Sequence, residues 1–126
     1  MRICILGLGY IGLPTAVLLS KTHKVFGSDI NEELVNKINN RILPFIEPGL
    51  SDLLEKSNFE AHTYPVEADA FIVCVPTPFD KEVRMADLRY VKGAIRSIIP
   101  YLRRENLIII ESTITPGTCE KIIIPI

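Results

Sequence analysis

Four short apolar runs rich in β-branched residues alternate along the chain with stretches whose apolar positions recur at helical spacing. Few folds accept that order. The runs are "RICIL" at 2–6, "KVFGSD" at 24–29, "DAFIVCV" at 69–75 and "NLIIIEST" at 106–113. Such alternation is the signature of βαβ units, whose parallel strands are covered on both faces and therefore read as near-continuous apolar segments. The predicted fold class is α/β: a doubly wound, mainly parallel sheet with helices on both faces. "DAFIVCV", with hardly a polar residue, is expected to be central in the sheet, and "NLIIIEST" to be a further buried strand.

The intervening segments read as follows. Residues 12–21 predict a helix with Ala16, Leu18 and Leu19 as apolar positions; Pro14 is tolerated because the first helical turn has no internal partner for the missing N–H. "NEELVNKINN" predicts a helix capped by Asn31, with Glu32 and Glu33 in the first turn and Leu34, Val35 and Ile38 on one face, ending before Pro44. A short helix is expected from near Pro48 and a short strand at "FEAHT". "TPFDKEVRM" reads as a polar loop, and "ADLRYVKGAIRSIIPYLR" as a long helix with Pro100 near its end. "TPGTCEKIIIPI" begins a further helix, and its apolar finish predicts a domain cut from a longer protein. At 126 residues the chain has the length of one domain.

With 48% hydrophobic and 23% charged residues and a formal net charge of -1, the chain has no basic excess to recommend a nucleic-acid partner. No apolar run approaches the roughly 18 residues of a membrane span, and the opening Met1-Arg2-Ile3 lacks a signal-peptide pattern. A cytoplasmic protein without membrane contact is expected. Cys4, Cys74 and Cys119 have no metal-ligand spacing, so no metal site is expected. Cys4 and Cys74 lie in strand-like runs, where a thiol serves as a small hydrophobe.

Directly after the first strand, Gly7, Gly9 and Gly12 form G-x-G-x-x-G. In this context the first glycine permits a tight strand-to-helix turn, the second lets a pyrophosphate approach the backbone, and the third lets helix and strand pack. The helix N-terminus adds unpaired N–H groups and the positive end of its dipole. Asp29 ends the second strand 22 residues after Gly7 and 17 after Gly12, near the interval of about 20 expected for an acid that binds the adenosine ribose. A carboxylate there repels a 2′-phosphate, so NAD is expected over NADP; a helix-capping role for Asp29 is the competing reading. Two more strand ends, "VPTP" at Val75 to Pro78 and "EST" at Glu111 to Thr113, face the same crevice, the competing reading being two loop threonines that close turns. These ends would place the hydroxyls of Thr77 and Thr113 near the nicotinamide half.

The ordered segments "GLGYIGLPTA", "SDINEELVNKIN", "EPGL", "ADAFIVCVPTPF" and "ESTITPGT" cover most of the chain and resemble the N-terminal domain of the UDP-glucose/GDP-mannose dehydrogenase family. Within it, they are most similar to the branch acting on UDP-N-acetylhexosamines, with UDP-N-acetyl-D-mannosamine the expected sugar nucleotide. The resemblance implies a Rossmann-type NAD-binding domain spanning residues 1–126. It also implies a whole protein that oxidises a sugar C6 alcohol to a carboxylate in two hydride transfers, by way of an aldehyde and a cysteine-bound thioester. By matching position, Tyr10 and Ile11 offer backbone N–H groups to the pyrophosphate, Asp29 binds the ribose, and Val75, Pro76, Thr77 and Thr113 flank the nicotinamide end. Thr113 is further implied in ordering a catalytic water.

The family's nucleophilic cysteine, in a "GFGG-x-C" type motif, and its catalytic lysine have no counterpart here. The resemblance therefore implies that the UDP-sugar is held through central helical and C-terminal domains absent from the chain, which alone would bind cofactor without oxidising a sugar. The whole protein is expected to be a homodimer or higher homo-oligomer. Cys119, just inside a predicted helix start where a thiol can be activated, has no family role and is read as a spare thiol; His23 and His62 are read as surface residues. Two alternatives stay open: a free-standing NAD-binding or redox-sensing module, and an S-adenosylmethionine-dependent methyltransferase.

Overall fold

In the computed structural model, which describes residues 1–82 and 84–126, the predicted strands assemble into one parallel sheet. β1 (Arg2–Leu6), β2 (Lys24–Ser28), β3 (Glu60–His62), β4 (Ala70–Val73) and β7 (Leu107–Ile110) lie in the order β3-β2-β1-β4-β7. β1 is the middle strand, pairing Arg2 through Leu6 with Lys24 through Ser28 on one side and Ile3 through Leu6 with Ala70 through Val73 on the other. Because both edges and both faces are covered, four of its five residues are buried, which is why the sequence there is apolar without alternation. The strand order reverses between β1 and β4, and in an open α/β sheet ligands sit beyond the carboxyl ends of the strands at that point.

α1 (Gly12–Leu19), α2 (Glu32–Asn39) and α3 (Leu50–Lys56) pack on one face, around Ile5, Leu13, Val17, Ile38, Leu54 and Phe59. α4 (Arg89–Ile98) packs on the other around Phe71, Val73, Val91 and Ile98. Of the apolar positions of α1, Leu18 is exposed to solvent while Ala16 is buried. Pro14 falls within the first turn of α1, where the N–H that proline lacks would have no intrahelical acceptor. α2 starts as its sequence requires: the Asn31 side chain accepts the Leu34 amide at 3.1 Å, and Lys37 meets Glu33 at 2.7 Å one turn on. At the other end of α2, the Asn39 amide group donates to the Ala61 carbonyl at 2.8 Å and accepts the Ala61 N–H at 2.9 Å. One side chain thereby occupies the outer edge of β3, which would otherwise present unpaired backbone.

Three expectations are corrected. The apolar run 106–113 is not buried: β7 closes the sheet on one side and leaves Leu107 52% and Ile109 37% exposed. A continuous apolar run shows that both faces of a strand favour cover, but whether an element packs there is a matter of topology. The loop expected at 77–85 carries a small antiparallel ladder, β5 (Phe79–Asp80) with β6 (Met85–Ala86); Val83 lies outside the described residues. The long helix expected to run to residue 103 is α4 followed by a 3₁₀ turn, Ile99–Tyr101, because Pro100 cannot continue the α-helical ladder. The last segment forms a π-helical turn, Cys119–Ile123, that buries Ile123 under the α4 face.

Phe71→Ala is expected to lower the free energy of unfolding in urea by about 3–5 kcal/mol, since the ring is fully buried at the centre of the α4 face. Ile109→Ala on the open strand should cost under about 1 kcal/mol.

Candidate functional site: a crevice at the strand order reversal

A crevice of about 720 Å³ opens where the strand order reverses. The turn after β1 supplies Gly7, Gly9, Tyr10 and Ile11; the end of β2 supplies Ser28 and Asp29. Val75, Pro76 and Thr77 follow β4, Ser112 and Thr113 follow β7, and the start of α4 adds Arg89 and Tyr90. Of the residues singled out from the sequence for a ligand, only Gly12 lies behind the wall rather than on it. Neither His23, His62 nor Cys119 lines the crevice.

The three glycines meet three different demands. Gly7 has φ +89°, a conformation L side chains rarely adopt, and a Cβ there would lie 2.8 Å from the Cys74 carbonyl oxygen. Gly12 is pressed against the strand end so closely that a Cβ would collide with the Gly7 carbonyl. Gly9 has nothing within 4 Å of a Cβ position and faces open space. That free space lies along the wall of the crevice, where a ligand backbone could approach the chain.

The start of α1 is electrostatically bare. Its N-cap, Ile11, contributes no side-chain hydrogen bond, and the first turn holds no acidic residue, in contrast to α2. Among the described residues, the amides of Gly9, Tyr10 and Ile11 have no hydrogen-bond acceptor. Four orphan N–H groups per helix start are the rule, and when no side chain caps them they favour an anion. Asp29 stands beside this turn with its carboxylate already engaged: one oxygen accepts the Leu8 amide at 2.8 Å and the other accepts the Asn31 amide at 2.9 Å. The competing reading of Asp29 as a helix cap is corrected: the cap of α2 is Asn31, and Asp29 instead braces the turns before α1 and α2. Each carboxylate oxygen has a second acceptor site left for a hydroxyl.

On the far side, Ser112 does work that the sequence alone did not reveal. Its hydroxyl donates to the Val75 carbonyl at 2.7 Å, and its amide reaches the Val73 carbonyl at 3.1 Å. These bonds tie the loop carrying Thr77 to the loop carrying Thr113, so the two threonines are presented together. Cys74 sits beneath them, and burial, reinforced by the nearby Glu111 carboxylate, pushes its thiol up to about 11. Burial likewise raises the Cys4 thiol. Arg89 is held by Asp87 in a paired contact as short as 2.7 Å, which keeps the Asp87 carboxyl below the usual range.

A parallel sheet with this order, a glycine-rich turn feeding an uncapped helix and an acid at the end of β2 together define a Rossmann-type dinucleotide-binding domain. The comparisons with known proteins name the family. The model of the UDP-glucose/GDP-mannose dehydrogenase family, NAD binding domain, matches residues 1–126. A UDP-N-acetyl-D-mannosamine dehydrogenase of Methanococcus maripaludis is 47% identical over 129 aligned positions, covering 96% of this chain and 30% of that protein. Among solved structures, the UDP-N-acetyl-mannosamine dehydrogenase of Staphylococcus aureus superposes with a TM-score of 0.94 at 38% identity, over 99% of this chain and 32% of that one. The GDP-mannose dehydrogenase of Pseudomonas aeruginosa does so at 0.90 and 32% identity, over 99% and 31%. The chain belongs to the UDP-glucose/GDP-mannose dehydrogenase family as its NAD-binding domain, and NAD is its cofactor. It spans about 30% of the length of the curated relatives it matches. No helix among the described residues is long and apolar enough to cross a membrane.

Gly12→Ala is expected to cost more than about 3 kcal/mol in denaturant unfolding, whereas Gly9→Ala should stay within about 0.5 kcal/mol of the parent chain. For Cys74, the folded thiol keeps its proton above the ordinary value of 9.0. Its contribution to stability is therefore fully present below pH 9 and is lost as pH rises toward about 11. Replacing it in Cys74→Ala should flatten the alkaline decline in unfolding free energy.

Proposed function

We propose that the chain is the cofactor-holding part of a nucleotide-sugar 6-dehydrogenase that oxidises the C6 alcohol of a UDP-sugar, UDP-N-acetyl-D-mannosamine, to the carboxylate. The observation that carries the cofactor half is the set of free amides at Gly9, Tyr10 and Ile11, opening on a crevice that a Cβ at Gly9 would begin to fill. A diphosphate answers that donor set in charge and in size. The relatives support the sugar half: the similar proteins of Methanococcus maripaludis and Escherichia coli are UDP-N-acetyl-D-mannosamine dehydrogenases.

In this reading the Tyr10 and Ile11 amides and the α1 dipole hold the pyrophosphate, and Gly9 leaves room for it. Asp29 accepts the ribose hydroxyls and repels a 2′-phosphate. Val75, Pro76, Thr77 and Thr113 flank the nicotinamide end, and Thr113 orders a water there. NAD, when bound, would supply the hydride acceptor, one NAD for each of the two oxidation steps, alcohol to aldehyde and aldehyde to acid. The thiol that captures the aldehyde and the groups that read the hexose belong to the central helical and C-terminal domains beyond this chain. Cys74 is unsuited to that role, because a thiol titrating near 11 is protonated at neutral pH. The whole protein is proposed to work in the cytoplasm as a homodimer or higher homo-oligomer.

Calorimetry on the chain tests the cofactor half. NAD should bind more tightly than NADP, and S-adenosylmethionine should not bind. Asp29→Ala should weaken NAD by about tenfold to a hundredfold, as expected for losing hydrogen bonds to a charged acceptor. Gly9→Val should abolish binding while the circular dichroism spectrum is retained. Unchanged affinity in both variants would overturn the assignment. For the substrate, NADH formation by the whole protein should be fastest with UDP-N-acetyl-D-mannosamine among that sugar nucleotide, UDP-N-acetylglucosamine and UDP-glucose.

A further inference from the structure

The glycine-rich turn offers amides to a diphosphate, and the side chains at its centre stand largely free of the core. Tyr10 is 73% exposed and Ile11 57% exposed. Flexible amides make a poor anion site, because each must be ordered at the moment of binding. One end of the turn is fixed by the bond from the Leu8 amide to Asp29. The other end runs into α1, where the Gly9 and Ile11 carbonyls accept the Leu13 and Thr15 amides at 3.1 Å each. The Tyr10 ring between them meets a ring from elsewhere in the chain: Phe45 lies with its centroid 4.4 Å from that of Tyr10, the rings tilted by 33°.

Phe45 belongs to the connection between α2 and α3, and that connection is unusually well anchored for a loop. At its start Arg41, in the left-handed region at φ +63°, donates through its guanidinium to the Phe59 carbonyl at 3.0 Å and the Ser57 carbonyl at 3.1 Å. Leu43 and Phe45 pack against the core under α1–α3, and Leu50 is buried at the start of α3. The ring of Phe45 is therefore anchored at its own loop, and it is the aromatic neighbour of the otherwise exposed Tyr10 side chain. Tyr10 lines the crevice; Phe45 does not.

We infer that Phe45 is a positioning residue of the dinucleotide crevice: its contact with Tyr10 transfers the rigidity of the α2–α3 connection to the glycine-rich turn and holds the Tyr10 and Ile11 amides in the geometry that receives a diphosphate. The inference rests on the cofactor reading proposed above. It assigns a role to a residue outside the glycine motif that touches no ligand, and it makes the α2–α3 connection part of the binding apparatus. An offset aromatic pair of this kind is worth enough to alter the population of the held turn by about two- to tenfold.

The test is a double-mutant cycle on NAD affinity with Phe45→Ala and Tyr10→Ala, read by calorimetry. Each single variant should weaken NAD and ADP-ribose alike, by about three- to tenfold, and the double variant should be no weaker than the worse single one. Phe45→Tyr, which keeps the ring, should restore parental affinity. A role confined to core packing would instead give independent effects that multiply. In the free protein, the Tyr10 ring resonances should carry an upfield ring-current shift that disappears in Phe45→Ala. If Phe45→Ala unfolds, Phe45→Leu keeps apolar volume without the aromatic face and should show the same loss of affinity and of the ring-current shift. Parental NAD affinity in a folded Phe45→Ala or Phe45→Leu chain, or multiplying effects in the cycle, overturns the inference and leaves the cofactor reading intact. Failure of the parent chain to bind NAD overturns both.

Discussion

The approach of α1 to the end of β1 is the constraint on which the rest of the molecule depends. Gly12 sits so near the Gly7 carbonyl that no side chain fits between them, and Gly7 is itself pressed on the Cys74 carbonyl. Helix, middle strand and the end of β4 thus meet backbone to backbone. That contact aims the first turn of α1 at the crevice instead of over the sheet. A longer side chain at either glycine would push the helix outward, and the donor groups at its start would move with it.

Two helix starts that follow consecutive strands show how the chain separates structure from function. α2 is finished locally: Asn31 caps it and two glutamates complement its dipole. α1 is left with no capping side chain and no acidic residue in its first turn, at a place where the surrounding turn is open to solvent. An uncapped helix start is a cost in stability that a folding argument alone does not explain, and it is intelligible where an anion completes the cap. Asp29 connects the two, because its carboxylate holds the turn before α1 through Leu8 and the turn before α2 through Asn31. The same side chain that orders the backbone stands at the place where a ribose is expected.

Both walls of the crevice are braced by contacts between loops distant in sequence. Ser112 joins the ends of β4 and β7, and Phe45 reaches from the α2–α3 connection to Tyr10. Neither residue belongs to a motif with a spacing rule. Each acts by fixing a neighbour that lines the crevice, and positioning of that kind is what turns flexible loops into a preorganised site.

The sequence by itself determined the α/β class, the strands β1 to β4, the capped start of α2 and the glycine turn, because each rests on local physics: apolar runs of strand length, capping chemistry and the steric needs of a turn. It also placed Gly7, Gly9, Tyr10, Ile11, Asp29, Val75, Pro76, Thr77 and Thr113 near one another in expectation, since a doubly wound sheet brings strand ends to one side. Only the tertiary structure decided that β7 is open, that Asp29 already holds two amides, and that Ser112 and Phe45 brace the loops. Those outcomes depend on which element lies beside which. An apolar strand carries the same residues whether or not a neighbour covers it, and a phenylalanine in a loop carries no sign of the ring it will meet.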